Sequence, residues 1–359
     1  MKVLIAGDWH SDLHEQEVML ALRRLGHEVA GFKWHHYYAG TGTGWRSVWL
    51  RAQNKYVMGP TLWRINRDFV RQALAERPDM IFVYRGTHIT AQSLQRVRQA
   101  LPACVLVGYN NDDPFAPTQP KPLWRHFLAA TAHYDLMLAY RHANLADFRA
   151  AGAKRVELMR SWYVPQRNHP VSLNEAQNLE YETDVVFIGH FEPDQRLKHL
   201  EEIVRQGVRL RLFGPDKYWS GPLARSATLK PFAPTRLVWG EDYNRALCGA
   251  KIALCFLSKL NRDTYTRRCF EIPATGTLML SEYSDDLASI FQEGSEVEFF
   301  RDLDEMMHKI KLYLSDAPRR ERVAAAGRAR VVQDGHDIDS RMGALLKTIE
   351  GIQRSSSTT

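Results

Sequence analysis

Cysteine is scarce in this sequence: Cys104, Cys248, Cys255 and Cys269 are the only four in 359 residues. None stands in a C-x-x-C pair, so neither a zinc knuckle nor a thioredoxin-like motif is encoded, and the four read as reduced core thiols. Long apolar runs are missing too. No stretch approaches the roughly 20 residues of a bilayer-spanning helix, and MKVLIAGDWHSD breaks its short apolar start at Asp8 and His10, so neither a membrane span nor a signal peptide is expected. Phosphate-binding glycine loops are absent in their usual forms. The opening KVLIAGDWH has the single Gly7 where a dinucleotide fingerprint needs G-x-G-x-x-G, which counts against an NAD or FAD enzyme. GTGTG at 40–44 lacks the Lys-Ser/Thr ending of a Walker A loop and reads as a mobile loop. A zinc finger, an RNP aromatic motif and a dense basic arm are all lacking, which argues against a nucleic-acid partner. No 20–50-residue repeat is visible, so a solenoid is excluded.

What is present is ordinary globular material: 45% hydrophobic, 25% charged, mean hydropathy −0.38. The length exceeds one ordinary core and predicts two domains of about 100–200 residues each. A net charge of +7 suits phosphorylated ligands, anionic membrane surfaces or nucleic acid, and its sign alone does not choose.

Short β-rich runs alternate with helical patterns, the signature of α/β folds with parallel sheets. In the first half, strands are expected at 2–7, 28–33, 79–84, 103–109, 134–139 and 155–159. Helices are expected near 12–25, 62–76, 90–100, 121–132 and 141–151. Asp12 and Glu15 look like a capping pair for the first helix, and Gly26 closes it. Around 166–180 the period is lost, as in a linker. Strands then resume at 184–188, 208–213, 252–256, 276–280 and 297–300. Helices follow near 194–205, 241–248, 268–275, 284–292, 302–314 and 317–330, with a last helix at 338–353 and a frayed tail at 354–359.

Ligands of such sheets sit beyond the carboxyl ends of the strands. The loops there carry Asp8, His10 and Asp12; Arg85 to His88; Asn110 to Pro114; Gly189 and His190, with Arg196 downstream; Gly214 and Pro215; and Asn261 to Glu271. The last stretch, NRDTYTRRCFE, sets Arg262, Arg267 and Arg268 beside Asp263 and Glu271 where a helix begins. Arginines at a helix start make a diphosphate site and a carboxylate can take ribose hydroxyls, yet the same run also reads as a salt-bridged surface turn. Adjacent His35 and His36 would point to opposite faces of a strand and so cannot share a metal ion, while the aspartates of 337–339 read as helix caps. Asp112 and Asp113 precede Pro114 and read either as an acidic site or as an Asx-type turn. Residues 45–71 carry six basic side chains, one acid, and Trp45, Trp49 and Trp63. That pattern suits either an anionic membrane surface or a helix packed on the sheet with its basic residues solvated.

The run RCFEIPATGTLMLS from Arg268, followed by DLASIFQEGSEVEFFRDLDEMMHKIKLYLSDAPRRERVAAAGRARVV, resembles the C-terminal signature of CgeB-like (spore-maturation) glycosyltransferases of the GT-B group. The resemblance is strongest over 250–345, and YRGTHIT and GYNNDDPF are consistent with it. It implies two facing Rossmann-like domains with a central cleft: an acceptor-binding domain at 1–165, the linker, a nucleotide-sugar domain at 181–335, and a helix at 336–353 crossing back. Glu271 matches the second acid of an E-x7-E motif and would hold the donor ribose; Asp263 stands eight positions earlier, an aspartate where the motif has glutamate. Gly189, Arg196, Gly214, Arg267 and Arg268 complete the expected donor set. Asp112, Asp113, His10 and His88 are candidate bases by loop position. The implied function is metal-independent transfer of a sugar, UDP-linked, to an envelope, spore or protein-linked glycan, without other cofactor, by a cytoplasmic enzyme or one at the inner membrane face. An epimerase of the same fold and a non-catalytic sugar-nucleotide-binding module are the alternatives.

Overall fold

The computed structural model describes residues 1–39 and 44–357. The chain divides into two compact units, Met1–Ser161 with Ile338–Thr359, and Trp162–Asp337.

The first unit runs β1 (Lys2–Gly7), α1 (Glu15–Arg24), β2 (Glu28–Lys33), α2 (Trp45–Tyr56), α3 (Pro60–Glu76), β3 (Met80–Tyr84), α4 (Ala91–Ala100), β4 (Val105–Asn110), α5 (Lys121–Ala130), β5 (Leu136–Ala139), α6 (His142–Ala150) and β6 (Val156–Leu158). All strands pair in parallel in the order β2-β1-β3-β4-β5-β6. Helices cover both faces, which is why MIFVY and VLVGYN read as continuous apolar runs and are buried at every position. In α3, Leu62, Ile65, Phe69 and Ala73 recur at helical spacing and fill one face of the core.

The second unit runs α7 (Glu175–Tyr181), β7 (Thr183–Ile188), α8 (Arg196–Arg205), β8 (Leu210–Phe213), α9 (Asp216–Arg225), α10 (Glu241–Cys248), β9 (Ala250–Cys255), α11 (Arg268–Ala274), β10 (Leu278–Glu282), α12 (Asp285–Ala288), β11 (Glu298–Phe300), α13 (Leu303–Ser315) and α14 (Ala317–Gln333). Its sheet is parallel in the order β11-β10-β9-β7-β8. The chain then returns to the first unit as α15 (Ile338–Ser357), which packs on α1. Ile338, Met342 and Ile349 are fully buried there, and Asp339 holds Arg24 at 2.6 Å.

Several local expectations are corrected. α1 starts at Glu15 with His14 in the N-cap position and no side-chain cap bond, so Asp12 is not its cap; Gly26 does end it, at φ +85°. His35 and His36 lie in a short 3-10 turn, not a strand. The aperiodic stretch at 166–180 instead carries most of α7, started by a reciprocal Asn174–Gln177 capping box. α9 was not anticipated because Gly221 and Pro222 interrupt its pattern. α15 continues through Ser357, where Ser355 Oγ donates to the Gly351 carbonyl, so the tail is helical that far. Residues 40–43 of the GTGTG run lie outside the described residues.

In each sheet the strand order reverses once, between β1 and β3 and between β7 and β9. Such points open a crevice at the carboxyl ends of the strands where ligands bind.

Candidate functional site

In the second unit, β7 is followed by Gly189 and β8 by Gly214, and these two loops touch. A Cβ on Gly214 would lie 2.2 Å from the Gly189 carbonyl oxygen and 2.6 Å from Trp219 Nε1. That indole donates to the same carbonyl at 2.9 Å. Glycine is required here by proximity. A Cβ on Gly189 would in turn stand 3.4 Å from Arg268 Nη1. Arg268 opens α11, after β9, so its guanidinium reaches the switch point between β7 and β9.

Arg268 donates weakly to the Phe256 carbonyl, 3.4 Å from Nη2, and its buried Nε meets no acceptor. Among the described residues no carboxylate is paired with it. Its effect is felt by His190, next to Gly189, whose imidazole is held below its usual value by burial first and then by Arg268 and Lys217. The loop after β7 therefore sits in a positive field.

Glu271 lies one turn along α11, 7% exposed. Arg267 Nε donates to its Oε1 at 2.5 Å and the Tyr243 hydroxyl to its Oε2 at 2.7 Å. Burial and then the Glu271 charge push the Tyr243 hydroxyl well above its usual value, so it remains a donor at any working pH. The carboxylate is fixed from two sides while keeping lone pairs for other donors. Asp263 lies in the loop before α11, its amide donating to the Ser258 carbonyl at 2.8 Å. α11 has only seven residues, so the guanidinium, and not the helix end, supplies most of the positive charge.

Arg196 departs from expectation. It is 3% exposed and turned inward, forking onto Asp194 at 2.8 and 2.7 Å and donating to the His190 carbonyl at 2.6 Å. Its charge is met within its own loop, so it shapes the turn after Gly189 and is not available to an anion.

The four candidate bases all lie in the first unit, in different states. His10 is exposed, with Nδ1 3.0 Å from Asp8 Oδ2; the hydrogen bond to Asp8 is the main cause that raises its pKa. His35 approaches the other Asp8 oxygen at 3.6 Å. Burial alone would lift the Asp8 carboxyl, but the His10 bond and the surrounding imidazoles hold it below its usual value. His88 is 4% exposed and burial pushes it down to about 4, so it is neutral, with Nδ1 2.9 Å from the Thr87 hydroxyl. Asp112 is ion-paired with Arg85 at 2.8 Å. Asp113 is fully buried and accepts from the Phe115 amide at 3.1 Å and from Asn144 at 2.9 Å, an Asx turn that fixes the loop. Asp113 and His88 are thus both buried, unlike His10. Trp9 and Arg85, at the ends of β1 and β3, both take left-handed backbone at φ 59° and 64°, a strained state that marks this switch point.

Tyr243, Lys217 and His14, which stacks on Tyr84 with centroids 5.3 Å apart, escaped the sequence reading. Nothing in their local spacing distinguishes them; they matter because the fold brings them to the strand ends. Among the described residues no three His, Cys, Asp or Glu side chains are grouped to hold a metal ion, and no helix is long and apolar enough to cross a membrane.

Residues 195–347 match a protein-family model described as glycosyl transferase-like. That stretch holds every expected donor residue except Gly189. Among solved structures, the chain is similar to Anabaena HepE in complex with UDP, with 13% identity and a TM-score of 0.66, covering 98% of this chain and 100% of that one. A sucrose-phosphate synthase from Thermosynechococcus elongatus gives 12%, 0.67, 98% and 100%. A trehalose 6-phosphate synthase from Burkholderia multivorans gives 12%, 0.64, 99% and 99%. Among curated proteins no sequence matches. At such identities the likeness carries the fold: two parallel-sheet Rossmann-like domains of the GT-B type.

Proposed function

We propose that this chain, a glycosyltransferase-like enzyme of GT-B fold, moves a sugar from a nucleoside diphosphate to an acceptor hydroxyl, with the donor held by the second unit. The observation that carries the reading is Arg268: a cation with no carboxylate partner among the described residues, at the β7/β9 switch point, its Nη1 3.4 Å from where a Cβ on Gly189 would stand. In the proposed complex Arg268 meets the diphosphate near Gly189. Glu271, braced by Arg267 and Tyr243, accepts from the ribose hydroxyls. A UDP-linked donor is supported by the Anabaena structures, which hold UDP or UDP-glucose. The CgeB-like resemblance overlaps the matched stretch and agrees with this assignment.

In the reaction the bond between the anomeric carbon and the phosphate oxygen breaks and a bond to the acceptor oxygen forms. Charge grows on the leaving diphosphate, and a guanidinium aimed there stabilises it without reorganising. We assign the acceptor proton to His10. It is the exposed member of the four candidates, oriented by Asp8, whereas His88 and Asp113 are buried and Asp112 is tied to Arg85. The acceptor class is a glycan or protein-linked glycan, and the reaction is assigned no metal.

A thermal-shift panel of nucleotides and nucleotide sugars, with and without chelator, tests this. A ligand at about 100 times its Kd adds about 2.7 kcal/mol, or roughly 5–10 °C for a unit of this size. The expected result is a chelator-insensitive shift with UDP-sugars that R268A and E271Q abolish. A shift surviving both substitutions, or one requiring a divalent ion, would overturn the site. Turnover of the donor sugar to an epimer without acceptor would overturn the transferase reading while leaving the donor site intact.

A further inference from the structure

The basic aromatic stretch divides in two. On α3 the apolar face is buried, as in any helix packed on a sheet. On α2 it is not. Trp45, Val48, Trp49, Ala52 and Tyr56 fall at i, i+3, i+4, i+7 and i+11, one continuous stripe that would ordinarily face the core. Here Trp45 is 81% exposed, Val48 55%, Trp49 48% and Tyr56 47%. The helix is held by a different side: Gln53, 4% exposed, accepts from the Thr61 amide at 3.0 Å. Beyond α2, Met58 and Trp63 extend the exposed apolar surface at 51% and 65%.

Cations surround this stripe. Arg46, Arg51 and Lys55 lie on α2, and Arg64, Arg67 and Arg71 on α3. The one acid of residues 45–71, Asp68, is consumed by Arg67 at 2.9 Å and Arg71 at 3.2 Å. A pocket of about 690 Å³ separates the two helices, with Arg46 and Arg64 in its wall. Aromatic rings in a row with basic side chains beside them match the boundary of a bilayer whose headgroups are acidic. A second copy of the chain is a poorer occupant, because a two-fold contact would bring six cations against the same six.

We infer that α2 is an interfacial helix that seats this enzyme on an anionic lipid surface, with Trp45, Val48, Trp49 and Tyr56 entering the headgroup region. The inference rests on the first unit alone and is independent of the donor reading. The test is flotation of the full chain with vesicles of phosphatidylcholine, alone or mixed with phosphatidylglycerol, at low and high salt. The protein floats with the mixed vesicles at low salt and is released by salt. W45S/W49S and R51E/K55E each lower partitioning at least about ten-fold, since each cation near such a surface contributes about five-fold. These side chains are exposed, so far-ultraviolet melting curves of both variants stay at the parent value, and their thermal shift with UDP is retained. Absence of flotation, or equal flotation of parent and both variants, would refute the inference. So would sedimentation in the absence of lipid showing a dimer that W45S/W49S dissociates, which would assign the stripe to a second copy.

Discussion

Substituting Gly214 by alanine probes the junction on which the proposed donor site is built. Gly214 does not have a positive φ, so its requirement is spatial: the added methyl would stand 2.2 Å from a backbone oxygen and 2.6 Å from an indole nitrogen that are themselves bonded. The Gly189 carbonyl is backbone and cannot rotate away. Either the loop after β7 shifts or Trp219 leaves it. Overpacking costs about 1–3 kcal/mol and the lost hydrogen bond about 1 kcal/mol, so G214A should destabilise the second unit by roughly 2–4 kcal/mol. That corresponds to a fall of roughly 5–15 °C in its melting transition. Because Gly189 moves with its carbonyl and lies beside Arg268, UDP affinity should fall at least about ten-fold. Gly343 is the control: in α15, with nothing within 4 Å of an added Cβ, G343A should be neutral or stabilising. Scanning fluorimetry and titration calorimetry read both quantities. An unchanged melting point would refute the packing argument. A lowered one with unchanged UDP affinity would remove the diphosphate from this loop.

Three further outcomes follow from the first unit. His10 is raised by its bond to Asp8, so that bond contributes fully below the ordinary histidine value of 6.5 and is lost as pH rises through the higher folded value. D8N should lower the His10 pKa in an NMR titration and move the rise of kcat/KM to lower pH; an unmoved profile would exclude His10 as the base. His88 is depressed to about 4, so between 6.5 and 4 the unfolded chain binds a proton the native state refuses, and stability falls as pH falls. The loss amounts to roughly 3 kcal/mol near pH 4, and H88Q should remove that part of the acid slope in urea unfolding. Ile349 is fully buried where α15 joins the first unit, and I349A should cost that unit about 2–5 kcal/mol in the same assay.

The sheets were legible because strands covered on both faces leave uninterrupted runs such as MIFVY and VLVGYN, and their parallel pairing followed from alternation with helices. The segments misread are those whose stability comes from elsewhere. α2 exposes the face that periodicity would bury, α9 carries Gly221 and Pro222, and α1 and α15 are joined by the Arg24–Asp339 ion pair across 315 positions of sequence. At the proposed site, residue type and loop position single out Gly189, Gly214, Arg268 and Glu271 as candidates. They could not tell Arg268, without a carboxylate partner among the described residues, from Arg196, spent on Asp194, because that difference is one of side-chain direction. Nor could they tell the exposed His10 from the buried His88. Tyr243 is bound to Glu271 across 28 positions of sequence, a pairing no local pattern encodes.

The central claim is most directly tested by a crystal structure of the chain grown with UDP. The account predicts the diphosphate against the Arg268 guanidinium beside Gly189, with both ribose hydroxyls on the Glu271 carboxylate. Nucleotide bound solely to the first unit, or bound to the second with Arg268 and Glu271 untouched, would contradict it.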